Sequence, residues 1–192
     1  MIRQIGIFVG SFDPIHNGHL TIARVAADEL RLDRVLFVPA AHPPHKAGFT
    51  HASYADRLRM VELACESEER FEASRLEENT VQSYSIHTIE RVRAQMASTD
   101  ELFFIIGADA FAEIGTWLRW DDVVRSVTFI VVSRPGHDYN VPDGARVERL
   151  DSVEIAISST EIRRAVAAKE YDLPLPECIL HYILMHQLYR SS

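Results

Sequence analysis

Short, continuously apolar runs alternate with helix-like segments along this chain, and this alternation is the feature that most constrains its fold. An apolar run bounded by turn residues is typical of a strand buried on both faces, whereas apolar residues spaced three and four apart are typical of a helix. Strands that alternate with helices predict a parallel sheet covered on both faces. We therefore expect an α/β fold with a doubly wound, mostly parallel sheet.

The predicted strands share a continuous apolar character and lie near residues 5–9, 35–38, 71–74, 102–106 and 127–132. The predicted helices share apolar spacing and lie near residues 20–30, 58–65, 86–93, 159–168 and 177–186. Ser85 is expected to cap the third of these helices. Because the sequence shows no repeat and no Pro/Gly-rich linker, residues 1–192 are expected to form one domain, with the helices from about residue 159 packed on it.

The composition argues against several classes of protein. Hydrophobic residues make up 47% of the 192 positions and charged residues 25%, as is ordinary for a globular protein. The net charge of -8 argues against broad binding to nucleic acid or to an anionic membrane, which needs a surplus of Lys and Arg. No apolar run reaches the roughly 18 residues of a membrane helix, and the first residues do not resemble a signal peptide. We expect a cytoplasmic protein with no nucleic-acid partner; whether it forms a homo-oligomer is left open.

The loop between the first strand and the first helix reads GSFDPIHNGH over residues 10–19. Its glycines allow close backbone approach, and the start of the helix offers unpaired amide donors to a phosphate. His16 and His19 are three residues apart and can direct ring N–H donors at the same anion. A tight turn with incidental surface histidines is the alternative interpretation. The position of the loop at the end of the first strand favours a phosphate site.

A second segment, ISSTEIR over residues 157–163, also begins a helix. Ser159 and Thr160 are expected to cap this helix, and Arg163 lies one turn further with a planar guanidinium suited to phosphate. Taken alone, this segment is equally compatible with an ordinary capped helix that carries a surface arginine.

Together the two segments resemble the HxGH signature and the ISSTxIR motif of the nucleotidyltransferase superfamily, which includes the class I aminoacyl-tRNA synthetases. In that superfamily the signature histidines bind the ATP phosphates and stabilise the transition state, and the second motif binds the phosphates from the opposite side. The resemblance therefore implies a Rossmann-like nucleotidyltransferase fold. His16, His19 and Arg163 match the motifs position for position.

Three further segments resemble bacterial nicotinate-nucleotide adenylyltransferases: PPHK at residues 43–46, YSIHT at 84–88, and GAD at 107–109 followed by Trp117. In that family the acid of the third segment meets the ATP ribose hydroxyls and the tryptophan stacks near the nicotinate ring, roles that suit a carboxylate and an aromatic face. Two alternatives stay open from the residues alone. Trp117 also suits a core or interface anchor, and His42, His45 and His51 could form a metal site, although no thiol or carboxylate spacing supports one.

The resemblance implies adenylyl transfer from ATP to nicotinate mononucleotide, giving deamido-NAD and pyrophosphate in NAD biosynthesis. It implies no resident metal, and Mg²⁺ is expected to arrive with ATP. The catalytic residues implied are His16, His19, Lys46 and Arg163. The ATP-binding residues implied are Gly10, Ser11, Phe12, His16, His19, Gly107, Asp109, Ser158, Ser159, Thr160 and Arg163. The residues implied for nicotinate mononucleotide are Ser11, His45, Lys46, Tyr84, Ser85 and Trp117.

Other functions are weighed against this one. The same chemistry on nicotinamide mononucleotide or phosphopantetheine is the nearest alternative, and a non-catalytic nucleotide-binding regulator is a more distant one. A tRNA-charging enzyme is opposed by the lack of a basic surface for tRNA. The chain also departs from the family, which usually has two glycines before the Ser/Thr, whereas Val9 occupies the first of these places. A side chain there is expected to narrow the approach of substrate backbone or phosphate.

Overall fold

The computed structural model describes residues 2–42, 50–133, 139–151 and 157–190. Within these ranges the strands form one sheet in the order β3-β2-β1-β4-β5-β6, and every neighbouring pair is parallel. This confirms the predicted doubly wound α/β fold. The strands are β1 (Gln4–Gly10), β2 (Arg34–Pro39), β3 (Phe71–Ala73), β4 (Glu101–Gly107), β5 (Thr128–Val132) and β6 (Arg146–Leu150).

Helices cover both faces of the sheet. The side chains of α1, α2, α6 and α7 share one apolar cluster with β1, and those of α3, α4 and α5 share the other. Among the residues that the structure describes, no helix combines the length and the apolar character needed to cross a membrane. The helices are α1 (Asn17–Glu29), α2 (Tyr54–Cys65), α3 (Ser85–Arg93), α4 (Ala108–Ala112), α5 (Trp120–Ser126), α6 (Ser159–Ala167) and α7 (Glu177–Met185), with a 3₁₀ turn at Ile114–Thr116.

The first strand shows why the buried strands could be predicted. Ile7 packs into the cluster of the α3 face and Phe8 into the cluster of the α1 face, so both sides of β1 must be apolar. The sixth strand was not predicted, because it reads Arg-Val-Glu-Arg-Leu and most of its side chains are exposed. It lies at the edge of the sheet, where a strand needs no burial on both faces.

Two predicted details of the helix starts are wrong. Ser85 is the first residue of α3 instead of its cap, and Tyr84 occupies the N-cap position without a side-chain hydrogen bond to the helix. At α6 the capping side chain is that of Ser158, which accepts a hydrogen bond from the backbone N–H of Glu161. The hydroxyl groups of Ser159 and Thr160 have other partners, described below.

The order of the strands fixes where a ligand can bind. The chain runs outward from β1 through β2 to β3, then returns so that β4 lies on the other side of β1. At such a switch point the connections after the two central strands diverge to opposite faces, which leaves a crevice beyond their carboxyl ends. Here the crevice lies beyond Gly10 at the end of β1 and Gly107 at the end of β4.

The last helix, α7, contributes fully buried side chains to the core, among them Ile183. We expect Ile183→Ala to lower the free energy of unfolding by about 3 kcal/mol, because the change removes buried methyl groups and leaves a cavity. Urea unfolding measures this loss. Met185→Ala on the same helix is the matched control, since Met185 is 67% exposed and should change stability by less than about 0.5 kcal/mol. Equal stability of the two variants would show that α7 does not unfold together with the sheet.

Candidate active site

Two cavities open beyond the carboxyl ends of β1 and β4. The first, which we call the histidine cleft, has a volume of about 610 Å³ and lies among the first loop, the start of α1 and the start of α6. The second, the tryptophan cavity, has a volume of about 360 Å³ and lies among the ends of β1 and β4, the start of α3 and the segment 116–118. Ser11 lines both cavities. The crevice therefore contains two cavities that meet at one residue.

His16 and His19 stand at the start of α1 with their rings stacked, 3.7 Å apart between centroids and 29° from parallel. The backbone N–H of His16 donates to Nδ1 of His19 over 3.2 Å. Since this nitrogen accepts a hydrogen bond, neutral His19 carries its proton on Nε2. The N-cap bond therefore fixes both the orientation and the tautomer of His19, which lines the cleft.

His16 is buried, with 4% of its surface exposed. Loss of solvation lowers its pKa to about 4, so the ring is neutral at pH 7. Its Nδ1 atom has no hydrogen-bond partner among the described residues. A buried ring nitrogen left unpaired is unfavourable, and other atoms of His16 line the cleft.

The start of α6 is fastened directly to the first loop. The Ser159 hydroxyl donates to the backbone oxygen of Pro14 over 3.0 Å. Arg163 donates from Nη1 to the backbone oxygen of Asp13 over 2.7 Å and from Nη2 to the Thr160 hydroxyl over 3.2 Å. These bonds explain why Ser159 and Thr160 do not cap the helix. They also bring the two sequence motifs together.

Asp13 lies beneath the cleft and was not predicted to contribute to it. Its carboxylate is 3% exposed and accepts hydrogen bonds from the backbone N–H groups of His51 (2.7 Å) and Ala52 (3.1 Å). The same carboxylate accepts from the Tyr189 hydroxyl over 2.8 Å. A buried charge needs such donors, and here they come from distant parts of the chain.

Arg57 on α2 is a second buried charge, 1% exposed. Its Nη1 donates to the backbone oxygens of Ser11 (2.6 Å) and Ala40 (2.9 Å). Burial lowers the pKa of this guanidinium. The side chain therefore ties the loop after β1 to the loop after β2 and holds Ser11 where the two cavities meet.

The tryptophan cavity is bounded by aromatic residues and by glycines. The ring of Trp117 meets that of Phe104 edge to face, 6.0 Å between centroids, and packs partly into the apolar cluster of the α3 face. Trp117 thus acts as a core anchor and also lines the cavity. A Cβ atom on Gly107 would meet nothing within 4 Å, so internal packing does not require a glycine there. An approaching ligand would make use of that space.

Some predicted residues lie elsewhere. The side chain of Phe12 is 1% exposed and packs in the core against Phe8 and Phe37, so a contact of this residue with ATP would have to come from its backbone. Asp109 is exposed in the first turn of α4, and it lines neither cavity. His45 and Lys46 lie outside the described residues.

The other predicted residues border one or both cavities. Ser11, His16, His19, Ser158, Ser159, Thr160 and Arg163 line the histidine cleft, and Gly10, Ser11, Tyr84, Ser85, Gly107 and Trp117 line the tryptophan cavity. Gly10 and Gly107, predicted for ATP, thus border the second cavity. The alternative of a metal site formed by His42, His45 and His51 includes His45, which lies outside the described residues; within the described ranges no three His, Cys, Asp or Glu side chains are placed to hold a metal ion.

Sequence reasoning missed Asp13, Arg57 and Tyr189. For Arg57 a signal existed, because it falls at helical spacing with the buried Met60 and Val61. A charged residue on an apolar face of a helix indicates a buried polar contact. Nothing in the sequence indicates the partner of Asp13, since Tyr189 lies 176 positions away.

Comparisons with known proteins agree with this geometry. The sequence model of the cytidylyltransferase-like family matches residues 7–165. A protein of Solibacter usitatus named as a probable nicotinate-nucleotide adenylyltransferase is 61% identical over 186 residues, which cover 97% of this chain and 99% of that protein. A protein of the same name from Exiguobacterium sibiricum is 39% identical over 98% of this chain and 100% of its own length.

A solved structure shares the fold. It is the Plasmodium falciparum nicotinic acid mononucleotide adenylyltransferase in complex with NaAD. Its TM-score is 0.79 at 16% sequence identity, with 97% of each chain covered. At this level of identity the likeness supports the architecture.

The low pKa of His16 makes stability depend on pH. The unfolded chain binds a proton to this residue near pH 6.5, whereas the folded chain does so only near pH 4, so the free energy of unfolding should fall as the pH drops through this window. The full loss is about 3 kcal/mol. His16→Asn should remove this part of the pH dependence in urea unfolding at pH 7 and pH 4.5. His181→Asn, at an exposed position on α7, should keep it. The same pH dependence in wild type and His16→Asn would contradict the shift.

Proposed function

Because the chain belongs to the cytidylyltransferase-like family and, within it, to the nicotinate-nucleotide adenylyltransferases, we propose that it transfers the adenylyl group of ATP to nicotinate mononucleotide. The products are deamido-NAD and pyrophosphate, which places the reaction in NAD biosynthesis. One observation carries this proposal in the structure. Ser11 lines both the histidine cleft and the tryptophan cavity, so two substrates bound there would meet at that residue.

The histidine cleft suits the phosphates of ATP. It is lined by His16, His19 and Arg163, which can donate hydrogen bonds, and by the starts of α1 and α6. Helix starts and guanidinium groups both favour anions. We assign the triphosphate to this cleft, and the ribose hydroxyls of ATP to the Asp109 carboxylate, as the family resemblance implies.

The tryptophan cavity suits the acceptor. Its volume of about 360 Å³ lies within the range of small-molecule sites, and Trp117 offers an aromatic ring to a pyridine ring. Tyr84 and Ser85 stand where α3 begins, and the start of a helix favours a carboxylate. This arrangement supports nicotinate over the neutral nicotinamide. Contacts of His45 and Lys46 with the mononucleotide stay predictions, since both lie outside the described residues.

The proposed reaction needs positioning more than acid–base chemistry. An anionic oxygen of the mononucleotide phosphate bonds to the α-phosphorus of ATP, and the bond from that phosphorus to the bridging oxygen breaks as pyrophosphate leaves. The barrier lies in bringing two anions together and in stabilising charge on the leaving oxygens. His16 is neutral and carries one ring N–H, His19 accepts at Nδ1 and so offers its Nε2–H, and Arg163 adds a fixed positive charge. No general base is required, because the attacking group is already ionised.

We expect Mg²⁺ to arrive on the ATP phosphates and to neutralise part of their charge. The cleft holds the Asp13 carboxylate, but its oxygens already accept from His51, Ala52 and Tyr189. The cleft therefore supplies hydrogen-bond donors to the nucleotide. This fits a magnesium ion that is coordinated by phosphate oxygens and water.

The test measures pyrophosphate release with ATP and Mg²⁺, with nicotinate mononucleotide, nicotinamide mononucleotide and phosphopantetheine compared as acceptors. We expect a strong preference for nicotinate mononucleotide. His19→Ala should lower kcat at least about 100-fold, the usual effect of removing one donor to the transition state, while His181→Ala should not. Release with another acceptor would overturn the assignment of the tryptophan cavity. ATP binding without release under any condition would indicate a regulator.

Trp117→Ala should separate the two cavities. We expect the KM for nicotinate mononucleotide to rise about tenfold, because aromatic stacking and burial contribute roughly 1 kcal/mol or more, with the KM for ATP within about twofold of wild type. Trp120→Ala is the matched control, as Trp120 lies outside both cavities and is 37% exposed. A larger effect on the KM for ATP than on that for the mononucleotide would place the acceptor elsewhere.

A further inference from the structure

The end of the chain reaches the loop that carries the two histidines. Tyr189 follows α7, and its hydroxyl donates to Oδ1 of Asp13 over 2.8 Å. We infer that Tyr189 is a positioning residue for adenylyl transfer, which acts through Asp13 on the groups that bind phosphate. The inference rests on the proposed function for its kinetic test, but the contact itself does not depend on it.

The backbone directs Tyr189 towards this contact. After α7 the chain reverses, with the Leu188 N–H bonded to the Ile183 oxygen over 3.0 Å. Gln187 and Tyr189 have φ values of 55° and 59°, in the left-handed region. Residues other than glycine occupy this region at a cost, and they persist there only where the surrounding contacts enforce it. The bonds from Leu188 to Ile183 and from Gln187 to Leu184, with Gln187 left-handed, are a common ending of a helix, and this ending turns the chain so that Tyr189 meets the first loop.

The Tyr189 hydroxyl is a constant donor. Burial raises the pKa of this phenol, and the negative charge of Asp13 raises it further. The group therefore stays protonated at any pH where an enzyme assay is made, and it donates to the carboxylate throughout. Removing this donor leaves a buried carboxylate with fewer partners, which favours displacement of Asp13 towards solvent.

A displacement of Asp13 would move the groups that we assign to the ATP phosphates, because they are bonded to the same stretch of backbone. The backbone oxygen of Asp13 accepts from Arg163, and that of Pro14 accepts from Ser159. His16 follows Asp13 by three residues and in turn orients His19. These four residues assigned to the phosphates thus depend on where the backbone of Asp13 and Pro14 lies. Small misplacements of such groups slow a reaction strongly.

The chain supplies a matched control. Tyr182 on α7 also donates its hydroxyl to an aspartate, Oδ1 of Asp56 over 3.0 Å. Tyr182 borders a surface groove on α7 and neither of the two cavities. Tyr182→Phe and Tyr189→Phe therefore each remove one tyrosine–aspartate bond, but only the second bond holds the first loop.

The experiment compares the two variants in pyrophosphate release with ATP, Mg²⁺ and nicotinate mononucleotide. Each is assayed well below its own thermal midpoint, so that the chain is folded. We expect Tyr189→Phe to lower kcat about tenfold, with the KM for the mononucleotide within twofold, and Tyr182→Phe to keep wild-type kcat. Equal kcat values for the two variants, whatever their midpoints, would overturn the inference and leave Tyr189 a stabilising residue only.

A double variant tests whether Tyr189 acts through the Asp13 carboxylate. If Tyr189 acts through the Asp13 carboxylate, Tyr189→Phe should change kcat by less than twofold when it is added to Asp13→Asn, because the bond is already weakened. A full tenfold loss in that background would show that Tyr189 does not act through Asp13.

Failure of the proposed function can be told apart from failure of this inference. If wild type releases no pyrophosphate, the function is wrong, and binding of ATP with Mg²⁺ then decides the inference. A dissociation constant at least threefold higher for Tyr189→Phe than for Tyr182→Phe would support the positioning role. Equal dissociation constants would overturn it.

Discussion

The buried carboxylate of Asp13 is the interaction on which the architecture of the crevice depends. An ionised group with 3% exposure is tolerated only where hydrogen-bond donors replace water. The donors to the carboxylate are the amides of His51 and Ala52 and the hydroxyl of Tyr189. The backbone oxygen of Asp13 also accepts a hydrogen bond from Arg163. Segments from three other parts of the sequence are therefore held against one loop, and separating any of them would leave a charge or a donor unpaired.

The sheet provides the crevice, and the loop after β1 determines which chemical groups line it. The switch between β1 and β4 opens a crevice that any doubly wound sheet would have. The loop decides what the crevice can do, because it places two oriented histidines and the Arg163 guanidinium on one side of Ser11 and leaves an aromatic cavity on the other. A protein with a net charge of -8 can thus hold a polyanion, since donors within a few ångströms outweigh distant charges that solvent screens.

The buried strands and the motif residues of the site were predictable from the sequence. The same physical reasons explain why the edge strand and the long-range contacts were not. Strands such as β1 and β4 are buried on both faces and therefore read as continuous apolar runs, and His16, His19 and Arg163 stand in recognisable local motifs. The edge strand β6 carries charges and gives no such signal. The contact between Tyr189 and Asp13 spans 176 positions and follows from tertiary packing alone, which no local pattern encodes.

The departure at Val9 shows how the fold decides what a local substitution can affect. Its position two residues before Ser11 suggested a steric effect on substrate backbone or phosphate. In the structure Val9 pairs with Val38 within the sheet and lines the tryptophan cavity, together with Gly10 and Trp117. The histidine cleft is lined by residues that follow Val9, beginning with Ser11. Any narrowing caused by this side chain therefore falls on the proposed acceptor and leaves the groups around the phosphates unchanged.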